Sequence, residues 1–435
     1  MTKYATVPTV AYLRCRIYSV RVRWTTMDTS ATPATPRHEP CVVVGAGPVG
    51  VVAALALRRR GVDVLVVESQ PQDRQRPGSR ALVLAFPTLR RLDAVLPGLG
   101  RAVSDAASGQ DSVGYEAFYE GKRIFRMPPM PSGNLIASLP QTVTETIVYD
   151  AAVAHGVRFC WNTPVTDVAT DADGVTITLA SGERIRTPYV IAADGARSAV
   201  RKALGISMSG HTDATPFIIV DVDKHPDGPT PPGCFHYRNP DLGGRNLLRV
   251  PFAGGIRLDL QCLPTDDAEH LASPEGLREW LPQVVDPWHA DHVQWVSTYL
   301  FHQVVADTYT DPHRRVLLAG EAAHLFAPFG ARGLNSGVMD ATDAAKAVSG
   351  ALTAPDQARA QKLVQRCAND RRQWGLRNRA VSNRALRTMR ADDPRMRARR
   401  AFAARIAPAF WPAGAWLATV PMQPTLPKLF PAGMY

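Results

Sequence analysis

The sequence predicts an α/β fold in which strand, turn, helix and strand are interrupted by a mainly β-sheet insertion and followed by a helical tail. Three observations predict it. A glycine-rich turn stands between two apolar runs within residues 41–68. Residues 206–311 change to short alternating strands with many prolines and aromatics, and strand-then-helix patterning resumes at Val316.

Residues 1–38 hold Lys3, Arg14, Arg16, Arg21 and Arg23, then a stretch rich in Thr, Ala and Pro. They read as a flexible N-terminal extension, with Met27 as an alternative start. Next comes CVVVGAGPVGVVAALALRRRGVDVLVVE, from Cys41 to Glu68. Gly45, Gly47 and Gly50 form G-x-G-x-x-G around Pro48 and Val49. The first glycine permits a tight turn, the second lets the backbone approach a pyrophosphate, and the third lets helix and sheet pack closely. The phosphates would face the free N–H groups of a helix predicted over 51–60. Glu68 lies 23 residues after Gly45, at a strand tip where a carboxylate accepts hydrogen bonds from ribose hydroxyls and disfavours a 2′-phosphate.

A basic loop with Arg74, Arg76 and Arg80 follows on the same edge. Short strands fill 111–138, with a hairpin at Glu120-Gly121, and a helix runs from Pro140 to Gly156. Strand candidates follow at 163–170 and 175–180, and Ser181-Gly182 is the hairpin turn out of the second into ERIRTPYVIAADG, whose apolar run ending at Ala193 delivers Asp194 and Gly195 to a loop. Within 206–311, Ile256, Leu258, Leu260 and Cys262 alternate with Arg257, Asp259 and Gln261, the period of a half-buried antiparallel strand. NLLRVPF and WVSTYLFH read the same way. Val316 to Ala319 is a buried strand tipped by Gly320 and Glu321, and Gly330, Gly333 and Asn335 open a helix that reaches about Ala351. A basic helical tail carries Arg371, Arg372, Arg377, Arg379, Arg384, Arg387 and Arg390.

Over 435 residues, 45% hydrophobic and 20% charged is the composition of a soluble globular protein. No apolar run reaches the ~18 residues needed to span a bilayer. The cysteines at 15, 41, 160, 234, 262 and 367 are scattered without metal-ligand spacing, which predicts reduced thiols in a cytoplasmic protein and no metal site. A formal charge of +11 raises the alternative of a non-enzymatic nucleic-acid or membrane-surface binder. No RNP, KH or helix-turn-helix pattern accompanies the arginines, so no nucleic acid is expected.

Three junctions, taken together, resemble the class A, single-component flavoprotein monooxygenases, the group of 4-hydroxybenzoate and phenol hydroxylases. They are the G-x-G-x-x-G, the segment AADGARSAVRKALGI, and AGEAAHLFAPFGARGLNSG. The resemblance implies a discontinuous Rossmann-like FAD-binding domain (39–110, 140–205 and 312–352), substrate-side strands (111–139), an inserted mainly β-sheet substrate domain (206–311) and a helical C-terminal region (353–435). It implies that Gly45, Gly47, Pro48, Val49 and Gly50 hold the pyrophosphate of FAD and Glu68 the adenosine ribose. Arg80, Gln141, Val165, Asp194 and Gly195 would contact the dinucleotide, and Gly320 with Glu321 the ribityl chain. Pro328, Gly333, Leu334 and Asn335 would wrap the flavin ring, where catalysis takes place. Two positions depart from the family: Glu321 replaces its usual Asp, and Ala331-Arg332 replaces Gly-Gln. Arg332 either supports negative charge on the ring or substrate, or points to solvent, the option we favour from sequence.

No metal cluster, serine elbow or carboxylate pair stands out, so the reactive group must be a cofactor. The resemblance implies a monooxygenase that uses NADPH or NADH and O₂ to hydroxylate a phenolic or polyketide-type aromatic through a C4a-hydroperoxyflavin, in secondary metabolism. A Baeyer–Villiger or epoxidising oxygenase, or a flavin oxidase, is the alternative on the same fold. His236 and Tyr237 are candidate bases toward a phenol, and Arg249, Arg257, Tyr299 and His302 candidate substrate contacts. His324 reads as structural. The chain would act as a monomer or homodimer, and docking of an acidic carrier protein on the tail is a weaker alternative.

Overall fold

Val42–Val44, Leu65–Val67, Val190–Ala192 and Val316–Leu318 present only apolar side chains, so they can be buried on both faces, as parallel strands are. In the computed structural model, which describes residues 36–75, 78–107, 114–129 and 136–422, they are four neighbouring strands of a five-stranded parallel sheet. Its order is Val316–Leu318, Val190–Ala192, Val42–Val44, Leu65–Val67, Arg158–Cys160. Met27, Arg76, Cys15 and nearly all of the N-terminal extension lie outside the described residues.

The helix after the glycine turn is Pro48–Arg58, three residues earlier than its apolar pattern suggests. Proline suits the first helical position, where its missing N–H costs nothing and its φ is already helical. Arg332–Leu352 packs directly on it: a Cβ on Gly337 would come within 2.5 Å of Val49 Cγ2.

The inserted sheet has seven strands, in the order Val293–Tyr299, Phe217–Asp223, Gly255–Gln261, Arg245–Phe252, Gly233–Asn239, Tyr115–Tyr119, Lys122–Met127. All neighbours are antiparallel except Gly233–Asn239 beside Tyr115–Tyr119. The hairpin expected at Glu120-Gly121 is present, with both residues at positive φ. On the outer face Ile218, Val220, Leu247, Leu258 and Leu260 pack beneath Leu277, Trp280 and Leu281. On the inner face Phe217, Phe235 and Tyr237 pack with Phe301, Ala327, Phe329, Leu386, Met389 and Leu417.

Two strand expectations need correction. Gly255–Gln261 is buried at all seven positions rather than on one face only. Its polar face is covered because Arg257 reaches the 79–80 loop, while Gln261 and Asn246 reach the C-terminal helices through Met389. WVSTYLFH is not one strand. It ends at Tyr299, and His302–Ala306 joins a separate sheet with Met208–Thr212 and His324–Leu325.

The tail folds as Gln357–Arg390, Pro394–Ile406 and Trp411–Thr419. Part of its basic charge is engaged with its own chain. Arg371 binds Asp340 at 2.7 Å, Arg379 the Ser209 carbonyl at 2.6 Å and Arg390 Asp213 at 2.6 Å. Arginines committed in this way are poorly placed to form a nucleic-acid surface. Among the described residues no helix is long and apolar enough to cross a membrane, and no His/Cys/Asp/Glu group could hold a metal ion. Burial pushes the Cys41 thiol up to about 12 and Cys262 to about 11, so both are inert.

Candidate active site

The turn leaving Val42–Val44 is shaped by close contacts on one side and open space on the other. Gly45 has φ +101°, and a Cβ there would stand 2.4 Å from the Ala193 carbonyl oxygen. On Gly50 it would stand 1.9 Å from the Gly45 carbonyl oxygen, so only glycine lets helix and strand approach. On Gly47 it would meet nothing within 4 Å. The Pro48–Arg58 helix has no side-chain cap and no acid in its first turn, so its terminal N–H groups are available to phosphate. Glu68 is buried at the next strand tip, its carboxylate accepting from Ala46 N–H at 2.7 Å and Gln70 N–H at 2.9 Å. Arg74, beside it, donates to the Ala46 carbonyl at 2.7 Å.

Two further strand tips adjoin this turn. After Val190–Ala192, Asp194 accepts from Ser198 Oγ at 2.6 Å and Val200 N–H at 3.1 Å, and Gly195 at φ +78° leaves open space beside it. Burial raises the Asp194 pKa against those hydrogen bonds. After Val316–Leu318, Gly320 takes φ +60° against Val49, and Glu321 is exposed in the turn Gly320–Ala322. That turn is clamped from behind by Asp340, which accepts from Gly320 N–H at 3.1 Å, His324 Nε2 at 2.7 Å and Arg371 Nε at 2.7 Å. His324 therefore holds the turn in place.

The helix Arg332–Leu352 starts uncapped beyond Ala331, with Pro328 exposed before it, Leu334 buried and Gly333 open to its surroundings. Asn335 is placed differently from the catalytic expectation. Its amide is committed to the Val83 and Ala331 carbonyls (2.9 and 2.6 Å), Ala85 N–H (2.9 Å) and Thr88 Oγ1. It fixes the helix start, and any cofactor contact falls to its backbone. Arg332 is not in solvent: burial pushes it down to about 10, and its Nη1 donates to Asn378 Oδ1 at 2.8 Å.

Arg80 is exposed, at φ 53°, and Gln141 receives the Ala81 N–H at 3.3 Å, so the two meet at one loop. Val165 opens the strand Val165–Thr170, two residues after Thr163, whose N–H bonds the Glu68 carbonyl at 2.8 Å.

The sheet candidates divide by face. His236 and Arg249 alternate onto the outer face, away from the strand tips. His236 stacks on Phe118 at 4.4 Å, and burial and Arg249 lower it to about 4, while Arg249 donates to the Pro232 and Val284 carbonyls. Neither can act as assigned. Tyr237 is on the inner face but fully buried, donating to the Leu417 carbonyl at 2.8 Å, which leaves no hydroxyl for substrate. Arg257 is a bridging residue, tied to Asp221 (2.9 Å), Ser79 (2.6 Å) and the Arg80 carbonyl. Tyr299 sits half-exposed at the sheet edge, and His302 is exposed, bonded to Thr212 at 2.8 Å.

One inner-face residue was missed altogether. Asp259 is 4% exposed, Oδ1 has no hydrogen-bond partner among the described residues, and burial pushes its pKa up to about 7, with Arg257 opposing and Asp221 adding. The signal was a carboxylate in the middle of the alternating strand, facing the same way as Arg257.

Residues 39–374 match the family described as FAD binding domain. The chain belongs to the FAD-binding-domain family. The cradle fits that cofactor: Gly47 leaves room where a Cβ would intrude, two uncapped helix starts await negative charge, and Glu68 is fixed beside the first. Relatives in the family include the 3-(3-hydroxy-phenyl)propionate/3-hydroxycinnamic acid hydroxylase of Mycolicibacterium smegmatis, 29% identical over 69% of this chain and 53% of that one. Rifampicin monooxygenase of Streptomyces venezuelae is 26% identical over 69% of this chain and 62% of that one. The chain thus spans about half the length of the curated relatives it matches, from 48% to 62%. The p-nitrophenol 4-monooxygenase of Pseudomonas putida DLL-E4 shares the fold with TM-score 0.72 at 24% identity, covering 89% of this chain and 95% of that one.

Proposed function

We propose that this chain is an FAD-dependent, NAD(P)H-consuming monooxygenase that hydroxylates an aromatic small molecule between the strand tips and the inner face of the seven-stranded sheet. One observation carries the reading. The tips bearing Gly45 to Gly47, Asp194 with Gly195 and Gly320 with Glu321 lie on adjacent parallel strands. The loop that follows the third tip sends Phe329 onto Phe217 of the inner face, with ring centroids 5.6 Å apart. Relatives named for a hydroxyphenylpropionate and a nitrophenol support a hydroxylated aromatic ring as substrate.

FAD, when bound, supplies hydride acceptance from NAD(P)H and activation of O₂ for transfer of one oxygen atom. The chain's residues supply the setting. N–H groups of the 45–50 turn would hold the pyrophosphate and Glu68 the ribose. The uncapped start of Arg332–Leu352 would favour negative charge on a flavin bound before it by about 0.3–2 kcal/mol, and the partly desolvated Arg332 would add a cation at that helix start. Phe217, Phe301 and Phe329 form a mutually packed wall, with centroids 4.7–5.6 Å apart, that excludes water from the reacting groups. The substrate is a free small molecule rather than one tethered to a carrier, and the enzyme is a cytoplasmic monomer or homodimer.

Turnover under isotopically labelled dioxygen tests this. With NADH or NADPH and a panel of phenols, the product should carry one labelled oxygen on an intact ring. Recovery of all consumed oxygen as hydrogen peroxide with every phenol would make the protein an oxidase, and an oxygen inserted into a carbon–carbon bond would make it a Baeyer–Villiger enzyme.

A further inference from the structure

Asp259 stands at the centre of the inner sheet face, paired across to Leu248 on one side and Ile219 on the other. The hydrogen bonds of its polar neighbours on that face go elsewhere. Arg257 makes its hydrogen bonds to Asp221, Ser79 and the Arg80 carbonyl and none to Asp259. Asn246 gives its amide N–H groups to Gln261 Oε1 at 2.8 Å and the Met389 carbonyl at 2.7 Å. Beyond Ile219 lies Phe217, which carries the aromatic wall of Phe301 and Phe329. Asp259 is thus a buried carboxyl with no hydrogen-bond partner among the described residues, between the 79–80 loop and that wall. A buried carboxyl left unpaired is costly, and a group that donates to it when present would offset that cost.

Resting on the proposed monooxygenase reading, we propose that Asp259 is the polar anchor of the substrate site, accepting a hydrogen bond from a ring hydroxyl, and that the site selects neutral hydroxyaromatics and rejects aromatic carboxylates. A hydroxyl satisfies the carboxyl whether it is ionised or protonated, since an acceptor oxygen remains in both forms. A substrate carboxylate would instead meet Asp259 and Asp221, and the guanidinium of Arg257 beside them is already paired.

The test is binding to the oxidised holoenzyme without NAD(P)H, by calorimetry and flavin difference spectra, so it does not depend on whether oxygen transfer occurs. The probes are 4-methylphenol, its methyl ether and 4-methylbenzoate. The phenol should bind at least ~10-fold more tightly than either of the others, a difference of about 1.4 kcal/mol. Asp259→Leu should erase the preference for phenol over ether while FAD content is unchanged. Asp259→Asn, which keeps an acceptor without the negative charge, should retain that preference and narrow the gap to the benzoate. Equal binding of phenol and benzoate by the native protein, or an undiminished phenol-over-ether preference in Asp259→Leu, overturns the proposal. If the leucine variant loses FAD, an unchanged phenol-to-benzoate ratio in Asp259→Asn overturns it instead.

Discussion

Gly47 and Gly50 sit in one turn and answer to different constraints. A side chain at Gly47 enters space that the protein leaves open, whereas at Gly50 it strikes the Gly45 carbonyl. Gly47→Val is therefore expected to lose FAD by at least ~10-fold in affinity with the melting temperature of the cofactor-free protein unchanged. Gly50→Ala should lower that temperature itself, by overpacking worth about 1–3 kcal/mol. Equal loss of fold in both, followed by calorimetry, would remove the distinction. Asp340 makes a second residue-scale case. Burial would raise its pKa, but the charges of His324 and Arg371 outweigh burial and hold it below the usual value. A carboxylate depressed by folding contributes stability above its unfolded pKa of about 4 and loses it as pH falls through the lower folded value. Asp340→Asn should cost roughly 3–5 kcal/mol at neutral pH by taking from the buried Arg371 guanidinium its 2.7 Å carboxylate partner and leaving only Asp343 at 3.4 Å. Denaturant titrations across pH should show the gap to wild type closing only in acid below about pH 4; a gap that closes near neutrality contradicts the pairing.

Elements show where local sequence decides and where packing does. The long helix Gln357–Arg390 ends on Ala391, which adopts φ 50° and donates its N–H to the Arg387 carbonyl at 2.9 Å. That cap position favours glycine, because a Cβ strains the left-handed conformation. Ala391→Gly should stabilise the protein by about 0.5–1 kcal/mol and leave FAD binding untouched, read by chemical melts; destabilisation would mean that the buried methyl outweighs the strain. The parallel strands were legible because Val42 to Val44 and Val316 to Leu318 are apolar on both faces, and the glycine turn because its residues have few other uses. The half-buried reading of Gly255–Gln261 failed for a tertiary reason: alternation shows that two faces differ, not that the polar one is wet. Here it lies against another layer.

At the scale of the whole molecule, the strand tips that would receive a cofactor were readable as positions in the chain, whereas the facing of the inserted sheet's residues was not. Glu68, Asp194 and Glu321 are fixed by position at strand tips, a property of local order in the chain. His236, Arg249 and Tyr237 were proposed for their chemistry. Which side of the sheet each faced depended on which layer covered it, and Tyr237 was claimed by Leu417, 180 residues away in sequence. Asp259 became visible only once the sheet's two faces were assigned. The central claim is that adjacent strand tips of one parallel sheet grip a flavin, and the absorption spectrum of the purified, reconstituted chain tests it most directly. The account predicts a yellow protein with one FAD per chain, bleached by NADH or NADPH. A folded chain that stays colourless after incubation with FAD would contradict it.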